Sequence, residues 1–144
     1  MAEKSILDRN AGIKKSVCKG TLAFTSDLIT RLRELSLLKQ GWLDGVFGSP
    51  LKTSFIQWIA DLFKKYYPSN IQLPYIYPTA EGGLSLEWDD DRYVEFSVDI
   101  DPETRVGSLY ALKKTEEEIV ATLQLQRDGW VVIEKLLAAD VQEG

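Results

Sequence analysis

The sequence predicts an α+β domain: two N-terminal helices, an antiparallel meander of four or five strands, and a C-terminal helix, with the helices packed on one sheet face. Three observations predict it. Apolar residues recur every three or four positions between residues 26 and 66, they alternate at every second position in segments from residue 84 to residue 125, and helical spacing returns after Asp128. The 144 residues are 44% hydrophobic and include four Trp, six Tyr and five Phe, enough apolar mass for a single core. The expected organisation is a basic N-terminal arm over residues 1–24, then one domain over residues 25–144.

The arm shows neither period, and Lys4, Arg9, Lys14, Lys15 and Lys19 make it basic. Two readings stand side by side: a flexible terminus, and an arm that orders on a partner or on a second copy of the chain. Its end, VCKGTLAF, offers a short strand. From Ser26 the run SDLITRLRELSLLKQG puts Leu28, Leu32, Leu35 and Leu38 on one helical face, with Thr25 or Ser26 as cap and Gly41 as stop. A second helix is expected to start at Ser49-Pro50, since serine caps and proline fits the first turn. Its stripe of Leu51, Phe55, Trp58, Ile59, Leu62 and Tyr66 is widened by Ile56 and Phe63, which suits a helix held between a sheet and another helix, or a subunit interface. The loop between the helices, GWLDGVFGSP, contains Trp42 and Phe47. They either fold back onto the core or form a surface for a partner.

PYIYP then reads as an edge strand, because Pro74 and Pro78 cannot donate to a ladder. An even-length loop around Glu81, Gly82 and Gly83 would put Tyr75 and Tyr77 on the face of Leu84, Leu86 and Trp88. Two alternating strands follow. A three-residue loop at Asp89-Asp90-Asp91 sets Leu86 opposite Val94 and Leu84 opposite Phe96, whereas a two-residue loop would set Leu86 opposite Glu95 and mix the faces. In that register Val94, Phe96, Val98 and Ile100 face the core, and the carboxylates of residues 77–101 face water, Glu87 beside Tyr93 and Ser85 beside Glu95. Asp101-Pro102-Glu103-Thr104 is a turn, VGSLYALK continues the meander, and EEEIVATLQLQ places Ile119, Ala121, Leu123 and Leu125 on one face of a fifth strand. Asp128 caps a last helix bearing Trp130, Ile133, Leu136 and Leu137.

Composition removes several chemistries. There is no histidine, so a Ser-His or Cys-His nucleophile and an HExxH zinc site are excluded. Cys18 is the single cysteine, which excludes an intramolecular disulfide and a CxxC site. No GxGxxG or GxxxxGK loop is present. The net charge of −5 conceals a gradient: residues 1–67 carry eleven Lys/Arg against six Asp/Glu, and residues 68–144 carry six against sixteen. The acidic half suits a basic partner surface. Asp89, Asp90 and Asp91 are weak metal candidates, without EF-hand spacing. No long apolar run or secretory leader pattern is seen, and the expected location is the cytoplasm.

The segment PTAEGGLSLEW, residues 78–88, followed by VEFSVDIDPE, resembles a group of small uncharacterised bacterial proteins. Their shared pattern is Pro-Thr-x-(Asp/Glu)-Gly-Gly-apolar-x-apolar-Glu-Trp. The group also tends to carry a Trp-Asp-Gly-like loop before a proline-started helix, from which Trp42-Leu43-Asp44-Gly45 departs by one inserted Leu. The resemblance covers about residues 35–112 and implies a similar fold, and with no established activity for the group it points to no catalytic residue. No cofactor is expected.

The expectation that follows is a non-catalytic protein–protein interaction module: an inhibitor, an antitoxin-like neutraliser, or an accessory subunit of a bacterial complex, such as a defence complex. Trp42, Phe47, Tyr75 and Tyr77 are its contact candidates, toward another protein or a second copy. Two alternatives are carried. One is a carboxylate- or divalent-metal-dependent hydrolase built on Glu87, Glu95, Asp99 and Asp101. The other is nucleic-acid binding through Lys14, Lys15, Lys19, Arg31 and Arg33, which the overall acidity disfavours.

Overall fold

A computed structural model describes residues 21–143, and side chains of residues 27–138. Three helices and a five-stranded antiparallel sheet make up this region, in the order α1 (Thr21–Ser36), α2 (Thr53–Tyr66), β1 (Tyr75–Pro78), β2 (Leu84–Glu87), β3 (Tyr93–Ile100), β4 (Val106–Lys113), β5 (Glu118–Gln124) and α3 (Arg127–Glu143). The sheet order is β1-β2-β3-β4-β5, a meander in which every strand pairs with its sequence neighbours.

Alternation fills the core. One face of the sheet carries Ile76, Leu84, Leu86, Phe96, Val98, Ile100, Leu109, Ala111 and Leu123. They are buried and form a single cluster with Leu28, Leu32 and Leu35 of α1, Phe55, Ile59, Leu62 and Phe63 of α2, and Trp130, Ile133 and Leu137 of α3. Aromatic contacts tie the layers: Trp130 meets Phe63 edge-on at 5.1 Å, and Phe96 meets Trp88 and Tyr93 at 5.5 and 4.9 Å. On the opposite face lie Tyr75, Tyr77, Ser85, Glu87, Glu95, Ser97, Asp99, Ser108, Tyr110, Leu112, Glu118, Val120 and Thr122, as the registers dictate.

The helix ends differ from expectation. α1 begins at Thr21, so Thr25 and Ser26 lie inside it and the segment up to Phe24 ends in helix rather than strand. It stops at Ser36, where the Leu37 and Leu38 amides turn to carbonyls three residues back and the Ser36 hydroxyl to Arg33. Nor does α2 start at Ser49-Pro50. The Ser49 amide donates to Ala80 O at 2.8 Å, and that bridge to the β1–β2 turn holds residues 49–51 outside the helix, which starts after an extended Lys52 that supplies no side-chain cap. Pro68 ends α2, because the residue before a proline is driven out of the helical region and Tyr67 is extended, at φ −63° and ψ 129°. α3 includes Arg127, so Asp128 stands in its first turn rather than at its cap.

Two loop lengths also differ. β1 pairs Ile76 with Leu86 and Tyr77 with Ser85 across the five residues 79–83. Thr79 closes that loop with its hydroxyl on the Gly83 amide at 2.9 Å, and Gly82 takes φ +91°. An odd loop reverses the parity, so Ile76 joins Leu84 and Leu86 while Tyr75 and Tyr77 point to the opposite face. In the β2–β3 hairpin Leu86 pairs with Val98 and Leu84 with Ile100, not with Val94 and Phe96. The parity is kept, but the connection is longer, and a bulge between Tyr93 and Glu95 turns Val94 outward and Tyr93 inward. The inward Tyr93 hydroxyl donates to Leu136 O on α3 at 2.9 Å.

Candidate functional site

The loop between α1 and α2 is a closed ring of hydrogen bonds. The Gly41 amide donates to Gly48 O, Leu43 to Phe47 O and Gly45 to Gly41 O, at 2.7–3.0 Å. Asp44 accepts both the Val46 and Phe47 amides on Oδ1, at 3.0 and 2.7 Å, and these two bonds hold its carboxyl below the usual carboxylate range. The chain turns tightly enough to need Gly48 at φ +108°, where any Cβ would meet the Leu43 amide nitrogen at 2.8 Å and the Trp42 indole at 3.0 Å. Trp42 lies half-buried with its indole N–H on Ser49 O at 2.7 Å, so it builds the loop. Phe47 does the reverse: it is 64% exposed, beside Val46 at 69%. Neither aromatic joins the core cluster: Trp42 packs within its own loop rather than folding back onto the core, and Phe47 is exposed.

A shallow groove of about 230 Å³ runs over the sheet face opposite the core, lined by Tyr75, Tyr77, Glu87, Val94 and Glu95. The registers bring Tyr75 opposite Glu87 and Glu87 opposite Ser97, whose hydroxyl reaches Glu95 Oε2 at 3.5 Å. Glu87 and Glu95 therefore share one groove, as diagonal neighbours. Asp99 stands farther along, opposite Ser108, and Asp101 is held in the β3–β4 turn, where it accepts the Thr104 amide and hydroxyl. Strand positions of this face carry Glu87, Glu95, Asp99 and Glu118 and no Lys or Arg.

The aspartate triplet is part of the hairpin connection. Asp90 clamps Arg92 through both oxygens, at 2.9 and 2.8 Å, and also accepts the Arg92 amide; the Arg92 guanidinium continues to Leu137 O on α3. Burial pushes the Asp90 carboxyl up, but these hydrogen bonds and the guanidinium charge outweigh it and hold it low. Asp89 and Asp91 are exposed. No group of three or more His, Cys, Asp or Glu with metal-holding geometry occurs among the described residues.

Of the basic set, Arg33 is exposed, while Arg31 is 3% exposed: its Nε donates to Ile76 O at 2.9 Å and Nη1 to Glu34 at 3.3 Å. Arg31 thus closes the β1 edge. Lys14, Lys15, Lys19 and Cys18 lie outside the described residues.

Tyr67, unremarked in the sequence, joins the site to the core. Its hydroxyl donates to Gln72 O, and the Trp88 indole N–H lies between Tyr67 Oη at 3.0 Å and Gln72 O at 3.2 Å. Four residues of the Pro-Thr-x-Glu-Gly-Gly…Trp segment therefore have a structural part: Thr79 closes the loop, Gly82 turns it, Gly83 lies where a Cβ would strike Ile100 O at 2.3 Å, and Trp88 anchors β2. Among the described residues no helix is long and apolar enough to cross a membrane. Comparison of the chain with protein-family models, curated proteins and solved structures finds no match.

Proposed function

We propose that the protein is a non-catalytic interaction module that docks another protein on the Gly41–Gly48 loop. The observation that carries this is the contrast within the loop: Asp44 and the ring of backbone bonds fix its shape, yet Val46 and Phe47 are left in water. A preordered loop loses little entropy on docking, and a large apolar side chain held out in water gains from burial in a partner's pocket. The strand positions that face away from the core cluster bring the carboxylates of Glu87, Glu95, Asp99 and Glu118 without a strand cation, which favours a partner with a basic surface. An inhibitor, an antitoxin-like neutraliser or an accessory subunit of a bacterial complex would each use such a surface.

The test is a pull-down from the native host with the wild-type chain, Phe47→Ser and Val46→Ser, read by mass spectrometry. One stoichiometric partner, retained by wild type and lost from both variants at unchanged melting temperature, is expected. A wild-type chain that emerges alone, or a partner held equally by the variants, removes the proposal.

A second reading rests on the groove, where Glu87 and Glu95 lie side by side with Tyr75 and Tyr77. The backbones of diagonal strand neighbours stand roughly 7–8 Å apart, close enough for the two carboxyl groups to take up the separation of an inverting pair. A panel of chromogenic glycosides, run with Glu87→Gln and Glu95→Gln as controls, decides it; turnover indifferent to both variants would dismiss this pair.

A further inference from the structure

The two edges of the sheet are finished differently. On β1 the Thr79 amide donates to Gly83 O, so alternation turns the Ile76 carbonyl away from β2, where Arg31 Nε meets it at 2.9 Å. Pro74 and Pro78 bring no amide hydrogen, and the strand has four residues. Short length, proline and a covering side chain keep a sheet edge from accepting another strand.

Among the described residues, β5 has none of these. Its residues EIVATLQ contain no proline and no lysine, its register with β4 runs without a bulge, and it is the last strand of the sheet. The Lys113 amide donates to Glu117 O at 2.8 Å, so alternation points the amides and carbonyls of Ile119, Ala121 and Leu123 toward β4. Those of Glu118, Val120, Thr122 and Gln124 point outward. Val120 is 74% exposed, and Ile119 and Ala121 are only partly covered.

We infer that β5 is the docking edge for a second copy of this chain, paired antiparallel about a two-fold axis at Ala121. That axis sets Glu118 opposite Gln124 and Val120 opposite Thr122. All four are the outward residues, so their amides and carbonyls face one another across the axis; the Gln124 carbonyl, which also lies against Gly129 of α3, is the tight point of the pairing. A shift by two residues leaves an outward residue unmatched at an end. Charge selects the same arrangement: the acidic run Glu116-Glu117-Glu118 of one copy comes beside Gln124, Gln126 and Arg127 of the other, whereas parallel strands would stack acid on acid. The contact is isologous and closes on itself, giving one continuous sheet through both copies. It is independent of the Val46–Phe47 loop.

Sedimentation velocity from about 1 to 100 μM, the range in which a modest homodimer populates, reads the state directly, and the wild-type chain is expected to dimerise. Val120→Pro removes an outward amide that β4 does not use, so the dimer Kd should rise at least about tenfold with an unchanged circular dichroism spectrum. Two further variants keep the test decisive should proline disturb the strand. Val120→Lys with Thr122→Lys puts like charges opposite each other in both central pairs and should give monomers. Val120→Lys with Thr122→Glu puts opposite charges there and should restore the dimer. A wild-type monomer throughout the range, dimers of the Lys/Lys variant, or a Lys/Glu variant as monomeric as the Lys/Lys one would each overturn the inference.

Discussion

The Tyr67 hydroxyl shows how much one atom can hold. It bonds Gln72 O and receives the Trp88 indole N–H, and burial raises its pKa strongly even though Trp88 opposes the shift. An unfolded tyrosine ionises near 10.0 and the folded one higher. The stabilisation is thus complete below pH 10 and declines as pH climbs toward the folded value. Tyr67→Phe should cost about 1–2 kcal/mol in urea unfolding at neutral pH, and should flatten the loss of stability above pH 10; an unaltered alkaline profile would show that the hydroxyl is not the group that titrates. Asp44 works with the opposite sign. Its carboxyl is depressed by the Phe47 and Val46 amides, so its hold on the loop is present above the ordinary 3.8 and fades as pH falls through the lower folded value. Asp44→Ala should speed hydrogen exchange at those two amides at neutral pH, while amides of β3 and β4 keep their protection.

At the scale of elements, the strands were legible and the loops joining them were not. Period-two alternation in LSLEW, VEFSVDI and EIVATLQ placed β2, β3 and β5, and the Asp101–Thr104 turn is where proline and short polar residues put it. Loop lengths depend on side chains that meet only in three dimensions. Thr79 reaching the Gly83 amide made an odd loop, and the pull of Leu136 O on the Tyr93 hydroxyl favours a bulge that alternation alone cannot announce. Ser49-Pro50 failed as a helix start because Ala80 takes its amide. The candidate site was half visible: Phe47 and the tyrosine–carboxylate face stood out by type, while Arg31 stood out only by its charge and Tyr67 and Arg92 not at all, because Ile76 O, Trp88 and Leu137 O meet them only in the fold. The junction of β5 and α3 is also tight. A Cβ on Gly129 would lie 2.3 Å from Gln124 O, a backbone atom that cannot step aside. Gly129→Ala should therefore cost roughly 1–3 kcal/mol by overpacking, seen as a lower urea midpoint at constant m-value.

Over the whole molecule, the charge gradient has a face. Glu87, Glu95, Asp99 and Glu118 share one side of the sheet, and the acidic tips Asp89–Asp91 and Glu116–Glu118 flank it. A basic partner should associate with it more slowly as salt rises from 0.05 to about 0.5 M, because screening shortens the reach of the field to a few ångströms. A salt-independent association rate would argue for a purely apolar contact through Phe47. The strand order β1-β2-β3-β4-β5 has a consequence in time. Each hairpin closes within a few residues of chain, so the sheet can zip locally and quickly, in the manner of low-contact-order topologies. The helices made first during synthesis have to wait for it: Leu109 and Ala111 emerge some fifty residues after the aromatics of α2 and about seventy-five to eighty after the leucines of α1, and only then is the core of the sheet close to complete. During that interval the nascent chain is at its most vulnerable to chaperone capture and to sticking to its siblings.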